Sequence, residues 1–182
     1  MKLPSLRRLH AMLAVGPLVA LSWAGAFSAF TDNVDATSSF SSGTIAITAN
    51  DQSGTVAFTS LSMSGMTPGA VTYAPLKLTN AGSAAFTYAM AASSSGSSAL
   101  AGALVVGVKL VPGASCSASD YAASSTVLYA EAVGIDSAAV ASRPLASGAS
   151  EFLCFKVQLP SSAGNALQGL TTNATFSFTA SA

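Results

Sequence analysis

The sequence predicts an all-β fold: one antiparallel β-sandwich preceded by a cleavable secretory signal peptide. Three observations carry this. Short runs of alternating apolar and polar residues recur along most of the chain, punctuated by Gly, Pro, Ser and Asn. No convincing amphipathic helix interrupts them. The first residues have the charged, then apolar, then small-residue form of an export signal.

The chain opens with a basic stretch holding Lys2, Arg7 and Arg8. Ala11–Phe27 then carries no charge and reads AMLAVGPLVALSWAGAF. Small residues follow. Ala26 and Ser28 suit the −3 and −1 positions of a cut between Ser28 and Ala29, and Ala24 and Ala26 suit a cut before Phe27. The first is preferred. The alternative is an uncleaved anchor, but Gly16 and Pro17 interrupt a run at the lower limit of about 17 residues for spanning a bilayer. The expected division is a signal peptide over 1–28, an N-terminal segment over 29–41 and a β-sandwich over 42–182.

Cleavage changes the chemistry that remains. Four Lys/Arg stand against seven Asp/Glu, a formal charge of −3, and the only His (His10) and only Trp (Trp23) leave with the signal. The absence of a basic patch argues against nucleic acid as a partner, and against the membrane except during export. Cys116 and Cys154 are the only cysteines. An even count in an exported chain predicts a disulfide between them. Two free buried thiols are the alternative. A metal pair lacks further Cys or His ligands.

The strands follow in order. Thr44–Ala49 places Ile45 and Ile47 on one face, and Thr55–Thr59 does the same with Val56 and Phe58. Ala70–Asn80 runs around Tyr73, Leu76 and Leu78, with Pro75 marking an edge or a bulge. Ala85–Met90 turns Phe86, Tyr88 and Met90 inward. Ser93–Ser98 reads as a soft loop. Gly102–Val111 sets Leu104, Val106, Val108 and Leu110 against Lys109. Glu151–Leu159 is the clearest strand, with Leu153, Phe155, Val157 and Leu159 on the core face and Cys154 on the other. Thr172–Thr179 alternates through Ala174, Phe176 and Phe178. Segment 112–149 is less regular, with a weak strand at Thr126–Tyr129 and a helical turn at Asp136–Val140. The disulfide then ties this segment over the outside of a sheet.

At the signal junction, AFTDNVDATSSFSSGTIAIT (Ala29–Thr48) supplies Ala29, Phe30 and Asp32, then Phe40, Ser42, Gly43, Thr44 and Ile45. LSMSGMTPGA (Leu61–Ala70) is an apolar segment ending in Pro-Gly, and KLTNAGSAAFTY (Lys77–Tyr88) is a strand–turn–strand. In order and spacing these resemble the TasA/camelysin (CalY) family of Gram-positive secreted proteins. The family often has an acidic residue after Pro-Gly where this chain has Ala70, and the C-terminal half with its cysteines is less diagnostic. The resemblance implies a jelly-roll-like sandwich and processing by a SipW-type signal peptidase. It also implies a biofilm-matrix or cell-surface role, with self-association into fibres in which one subunit's N-terminal segment completes a sheet of the next.

Phe30, Val34, Ala36 and Phe40 recur on one face of the N-terminal segment and suit a donor strand. Asp32 and Ser38 fit that face less well. An enzyme is the rival class, because camelysin-like members are classed as metallopeptidases. A mature chain without His excludes an HExxH zinc site and a Ser–His–Asp triad. Ser–Lys pairs from Lys77, Lys109 or Lys156 arise readily by chance in so serine-rich a chain. Asp32, Asp35, Asp51 and Asp120 lack the ligand spacing of a calcium loop. The expectation is therefore a structural protein with no catalytic or metal residues and no cofactor. A monomeric adhesion module is the alternative. Asn173-Ala174-Thr175 has the form of a glycosylation sequon but lies in an expected strand.

Overall fold

The computed structural model describes residues 42–53 and 65–182. The expected signal peptide, the Ser28/Ala29 cut, the donor-strand residues Phe30, Val34, Ala36 and Phe40, and the Thr55–Thr59 strand lie outside the described residues. The rest is an antiparallel β-sandwich.

Its strands are β1 (Ile47–Ala49), β2 (Val71–Asn80), β3 (Phe86–Gly96), β4 (Val105–Val111), β5 (Val127–Val133), β6 (Ala139–Leu145), β7 (Ser150–Gln158) and β8 (Thr172–Ser181). They form a five-stranded sheet in the order β1-β2-β7-β4-β5 and a three-stranded sheet in the order β6-β3-β8. All named pairs are antiparallel. Two six-residue helices, α1 (Ser98–Ala103) and α2 (Ala118–Ala123), join the strands.

The core lies between the sheets and comes from alternation. β2 turns Ala74, Leu76 and Leu78 inward, β3 turns Phe86, Tyr88 and Met90, and β7 turns Leu153, Phe155 and Val157. The Phe155 ring packs on Phe176 of β8 with centroids 4.8 Å apart. Each Leu, Phe, Val or Met among these contributes about 1.5–3 kcal/mol when fully buried. Tyr73, on the opposite face of β2 from Leu76 and Leu78, packs on the outside of the sheet instead.

Several expectations need correction. Ile45 is 44% exposed and precedes β1, so it does not share a buried face with Ile47. Ser93–Gly96 continue β3 because β8 pairs with them to the end, Gly96 opposite Thr172. At Gly96 (φ +100°) a Cβ would press on the Thr171 carbonyl, which only glycine avoids. Gly102 and Ala103 belong to α1, which Ser97 caps by accepting from the Leu100 N–H, and Leu100 and Ala101 are buried. Segment 112–149 is more regular than its composition implies. Its 3-10 turn is 135–137, and Val140 already belongs to β6. β6 was illegible because an irregularity between the Tyr88 and Met90 partners breaks the period of two, leaving Val140 and Leu145 both buried. Pro75 sits in neither a bulge nor a terminus. It lies beyond the stretch of β2 that β1 covers, while β7 continues beside it. Lys77, of the same parity, sends its N–H and C=O away from β7 to Asn50, so the Pro75 nitrogen faces that flank, where β7 asks for no donor.

Candidate functional site

The segment 42–46, where the N-terminal segment joins the sandwich, is built against the β2–β3 turn. Ala81 N–H donates to Ala46 O (2.8 Å) and Ala84 N–H to Thr44 O (3.2 Å). Thr44 N–H donates to Ser83 Oγ (2.9 Å), and the two hydroxyls lie 3.3 Å apart. The approach leaves no room for side chains. A Cβ on Gly43 would stand 2.8 Å from the Ala84 Cβ, and one on Gly82 would collide with the Thr44 carbonyl and come within 2.8 Å of the Ala46 nitrogen. The Ser42-Gly43-Thr44 and Asn80-Ala81-Gly82-Ser83 stretches, distant in sequence, are two halves of one latch.

Asn80 holds the turn half rigid. It is wholly buried, and its Nδ2 donates to Ala84 O (2.8 Å) and Leu145 O (3.0 Å). Its Oδ1 accepts from Gly82 N–H (2.9 Å). Its own N–H and C=O bond Ala149 and Gly148. The side chain therefore ties β2 to the turn and to the end of β6, and the backbone of the same residue ties it to the loop that follows. Nearby, Tyr88 OH donates to Glu151 Oε2 (2.6 Å), and Arg143 Nη2 donates to Glu151 Oε1 (2.8 Å). Burial opposes ionisation of Glu151, but the Arg143 and Tyr88 hydrogen bonds outweigh it and lower its pKa. Burial, reinforced by Glu151, pushes the Tyr88 hydroxyl well above the ordinary tyrosine range. This trio clips the small sheet to β7.

The disulfide is present. Cys116 and Cys154 have Cα atoms 5.3 Å apart, and the bond holds the α2 segment on the outer face of the five-stranded sheet. Beneath it lies a small cluster of Val111, Tyr121 and Cys154, with Tyr73 and Phe152 beside it. Tyr121 lies over Gly107, where a Cβ would collide with its hydroxyl. Among the described residues that hydroxyl is buried beside the Glu131 carboxylate with no hydrogen bond of ordinary geometry. Burial, then the Glu131 carboxylate, holds its pKa far above the usual value. Lys109 Nζ lies 4.6 Å from the Tyr121 ring centre and donates to the Tyr121 and Ser124 carbonyls at the end of α2. Ser117 and Asp120 close a capping box at its start, and Ser115, then Ser117, lower the Asp120 pKa.

The residues weighed for catalysis or metal are scattered and otherwise engaged. Lys77 pairs with Asp51 (2.7 Å) and Lys156 with Glu131 (2.7 Å), and among the described residues none of Lys77, Lys109 and Lys156 is bonded to a serine hydroxyl. Asp120 caps α2. Asp32 and Asp35 fall outside the described residues. Among the described residues no group of three or more His, Cys, Asp or Glu is placed to hold a metal, and no helix is long and apolar enough to cross a membrane.

Among the described residues, the strands at the sheet edges differ in kind. β5 is paired to β4 through two register shifts and carries Glu131. β6 carries Arg143 and Pro144 and is irregular. These are devices that obstruct strand addition. β8 has none of them: ten residues, TNATFSFTAS, in unbroken register with β3 and without charge or proline.

No protein-family model matches the chain, and no curated protein matches it. Sequence reasoning recognised both halves of the latch as motifs but missed that they meet. It also missed the Tyr88–Arg143–Glu151 clip, for which no spacing signal exists. The burial of an Asn in an otherwise apolar strand face was the one available clue to the clamp.

Proposed function

We propose that the chain is a secreted structural protein of the TasA/camelysin type, acting at the cell surface or in an extracellular matrix. Copies assemble into fibres when the N-terminal segment of one adds as a strand to the next. Processing by a SipW-type signal peptidase exposes Ala29 as the new terminus, and the protein works without a cofactor. The observation that carries this reading is the latch: Ser42–Ala46 is fixed to a rigid turn, so the donor segment of 29–41 is attached to an unyielding base. A segment held this way loses less freedom when it docks. The uncharged, proline-free, evenly registered β8 adds support, because main-chain hydrogen bonds along such an edge supply affinity. The disulfide fits an oxidising compartment outside the cytoplasm.

The test is negative-stain electron microscopy of the mature protein, from Ala29 onward, beside a variant lacking Ala29–Ser39. Fibres from the first and folded monomers from the second are expected. Fibres from the deletion variant would remove the donor-strand mechanism. A mature protein that stays monomeric at high concentration would favour an adhesion module.

A further inference from the structure

We infer that Cys116–Cys154 is an exchange-active disulfide: a modification site at which an external thiolate attacks Cys116 and Cys154 leaves. The inference does not depend on fibre formation.

The two sulfurs stand in unlike surroundings. Cys154 is wholly buried on β7, flanked by Pro75 of β2 and Lys109 of β4. Cys116 is half-buried, in the stretch between β4 and α2 where Pro112, Ala114 and Ser115 are exposed. The charges divide the same way. Lys109 is the direct register partner of Cys154, and Lys156 lies two residues along β7 on the same face. Both ammonium groups stand over the Tyr121 ring, with Lys109 Nζ 4.6 Å and Lys156 Nζ 5.9 Å from its centre, and Tyr121 packs in one cluster with Cys154. One carboxylate, Glu131, offsets them through its pair with Lys156. Lys77 shares the face but is paired with Asp51. On the other side, the serines flanking Cys116 both donate to a carboxylate: Ser115 Oγ and Ser117 Oγ lie 2.6 and 2.7 Å from Asp120 Oδ2.

These surroundings give thiol–disulfide exchange a direction. An external thiol loses its proton to water, and its sulfur bonds Cys116 Sγ as the Cys116–Cys154 bond breaks. The electron pair of that bond leaves on Cys154 as a thiolate. A second thiolate displaces Cys116 from the mixed disulfide, so two thiols supply the two electrons that reduce the pair. The sulfur with the lower pKa leaves faster. Burial raises the pKa of a cysteine and adjacent ammonium groups lower it. At Cys154 two lysines oppose the effect of burial. At Cys116 the neighbouring charge is negative and disfavours a thiolate. Access and charge therefore select the same polarity, attack at Cys116 and departure of Cys154.

The sandwich tolerates this opening. The cluster of Val111, Tyr121 and Cys154 is separate from the core between the sheets. The far end of α2 has its own tether, the Lys109 bonds to the Tyr121 and Ser124 carbonyls. Exchange therefore proceeds from the folded protein.

The experiment incubates the folded mature protein with reduced glutathione and, separately, with reduced thioredoxin. Alkylation followed by peptide mass spectrometry reads the rate and the cysteine that first carries glutathione. Far-ultraviolet circular dichroism follows the fold throughout. The expected result is exchange with the β-sheet signal intact and glutathione first on Cys116. Lys156→Gln should slow the reaction by about threefold or more, Lys156→Arg should restore it, and Glu131→Gln should speed it. A merely structural role for the Lys156–Glu131 pair would move both glutamine variants in the same direction. In urea-unfolded chains all variants should react alike. Reaction with either thiol supports the exchange, and the one that reacts identifies a small thiol or a protein dithiol as its source. A bond that resists both thiols until the sandwich unfolds would overturn the inference. So would glutathione found first on Cys154, or a Lys156→Gln variant that reacts as fast as the parent.

Discussion

Replacing Asn80 by Ala tests the latch where it is most constrained. The substitution leaves the Gly82 N–H and the Ala84 and Leu145 carbonyls without the bonds that Asn80 makes. At about 1 kcal/mol net per hydrogen bond the loss is about 3 kcal/mol. Stranding buried partners and opening a small void raise it to about 3–5 kcal/mol. With a urea slope of about 2 kcal/mol/M, the unfolding midpoint should fall by about 1.5–2.5 M. Asn80→Asp separates bonding from volume. The shape is nearly kept, but an acceptor replaces the amide donor opposite two carbonyls, and a charge is buried. The aspartate variant should therefore be at least as unstable as the alanine variant. Equilibrium urea unfolding followed by far-ultraviolet circular dichroism measures both. A loss under about 1 kcal/mol for Asn80→Ala, or a mild Asn80→Asp, would refute the claim that these three bonds hold the turn.

Other outcomes follow from the same geometry. Mutating Cys116 and Cys154 together to serine should cost up to about 4 kcal/mol, by the loop-entropy relation for a separation of 38 residues; thermal unfolding with and without reductant reads this, and a change under about 1 kcal/mol would contradict it. Gly107→Ala should displace Tyr121 and destabilise by about 1–3 kcal/mol, seen as a shift in urea midpoint with altered tyrosine fluorescence. Glu151 has a lowered pKa, so it contributes stability above its ordinary carboxylate range and loses it as pH falls through the folded value. Urea midpoints should drop on acidification below about pH 4, and Glu151→Gln should flatten that limb while lowering stability at pH 7. An unchanged acid limb in the variant would show that another carboxylate sets it.

Where burial and period agree, the fold was legible. β7 reads correctly from Leu153, Phe155 and Val157, and Cys154 falls on the outer face as its parity requires. β2 and the inward set of β3 follow the same logic. Reading failed where tertiary contact overrides local pattern. Ser93–Gly96 have loop-like composition, yet the β8 ladder carries them as strand. β6 hid because its irregularity shifts the period. α1 hid because six residues are too few for a helical period, and its burial of Leu100 and Ala101 looks like strand onset. At the candidate site, the motifs on both sides of the latch were visible separately. Their meeting was not, since long-range pairing leaves no mark on spacing. The Arg143–Glu151 pair is invisible for the same reason.

The central claim is that 29–41 is a donor strand working from a fixed latch, and point substitutions in the mature chain test it most directly. Phe30→Asp/Val34→Asp puts charge on the face expected to dock and alters no residue of the described sandwich. Light scattering with electron microscopy on matched folded samples is the measurement. The account predicts fibres from the mature protein and none from Phe30→Asp/Val34→Asp, with identical urea midpoints. Fibres of equal yield from both would contradict it.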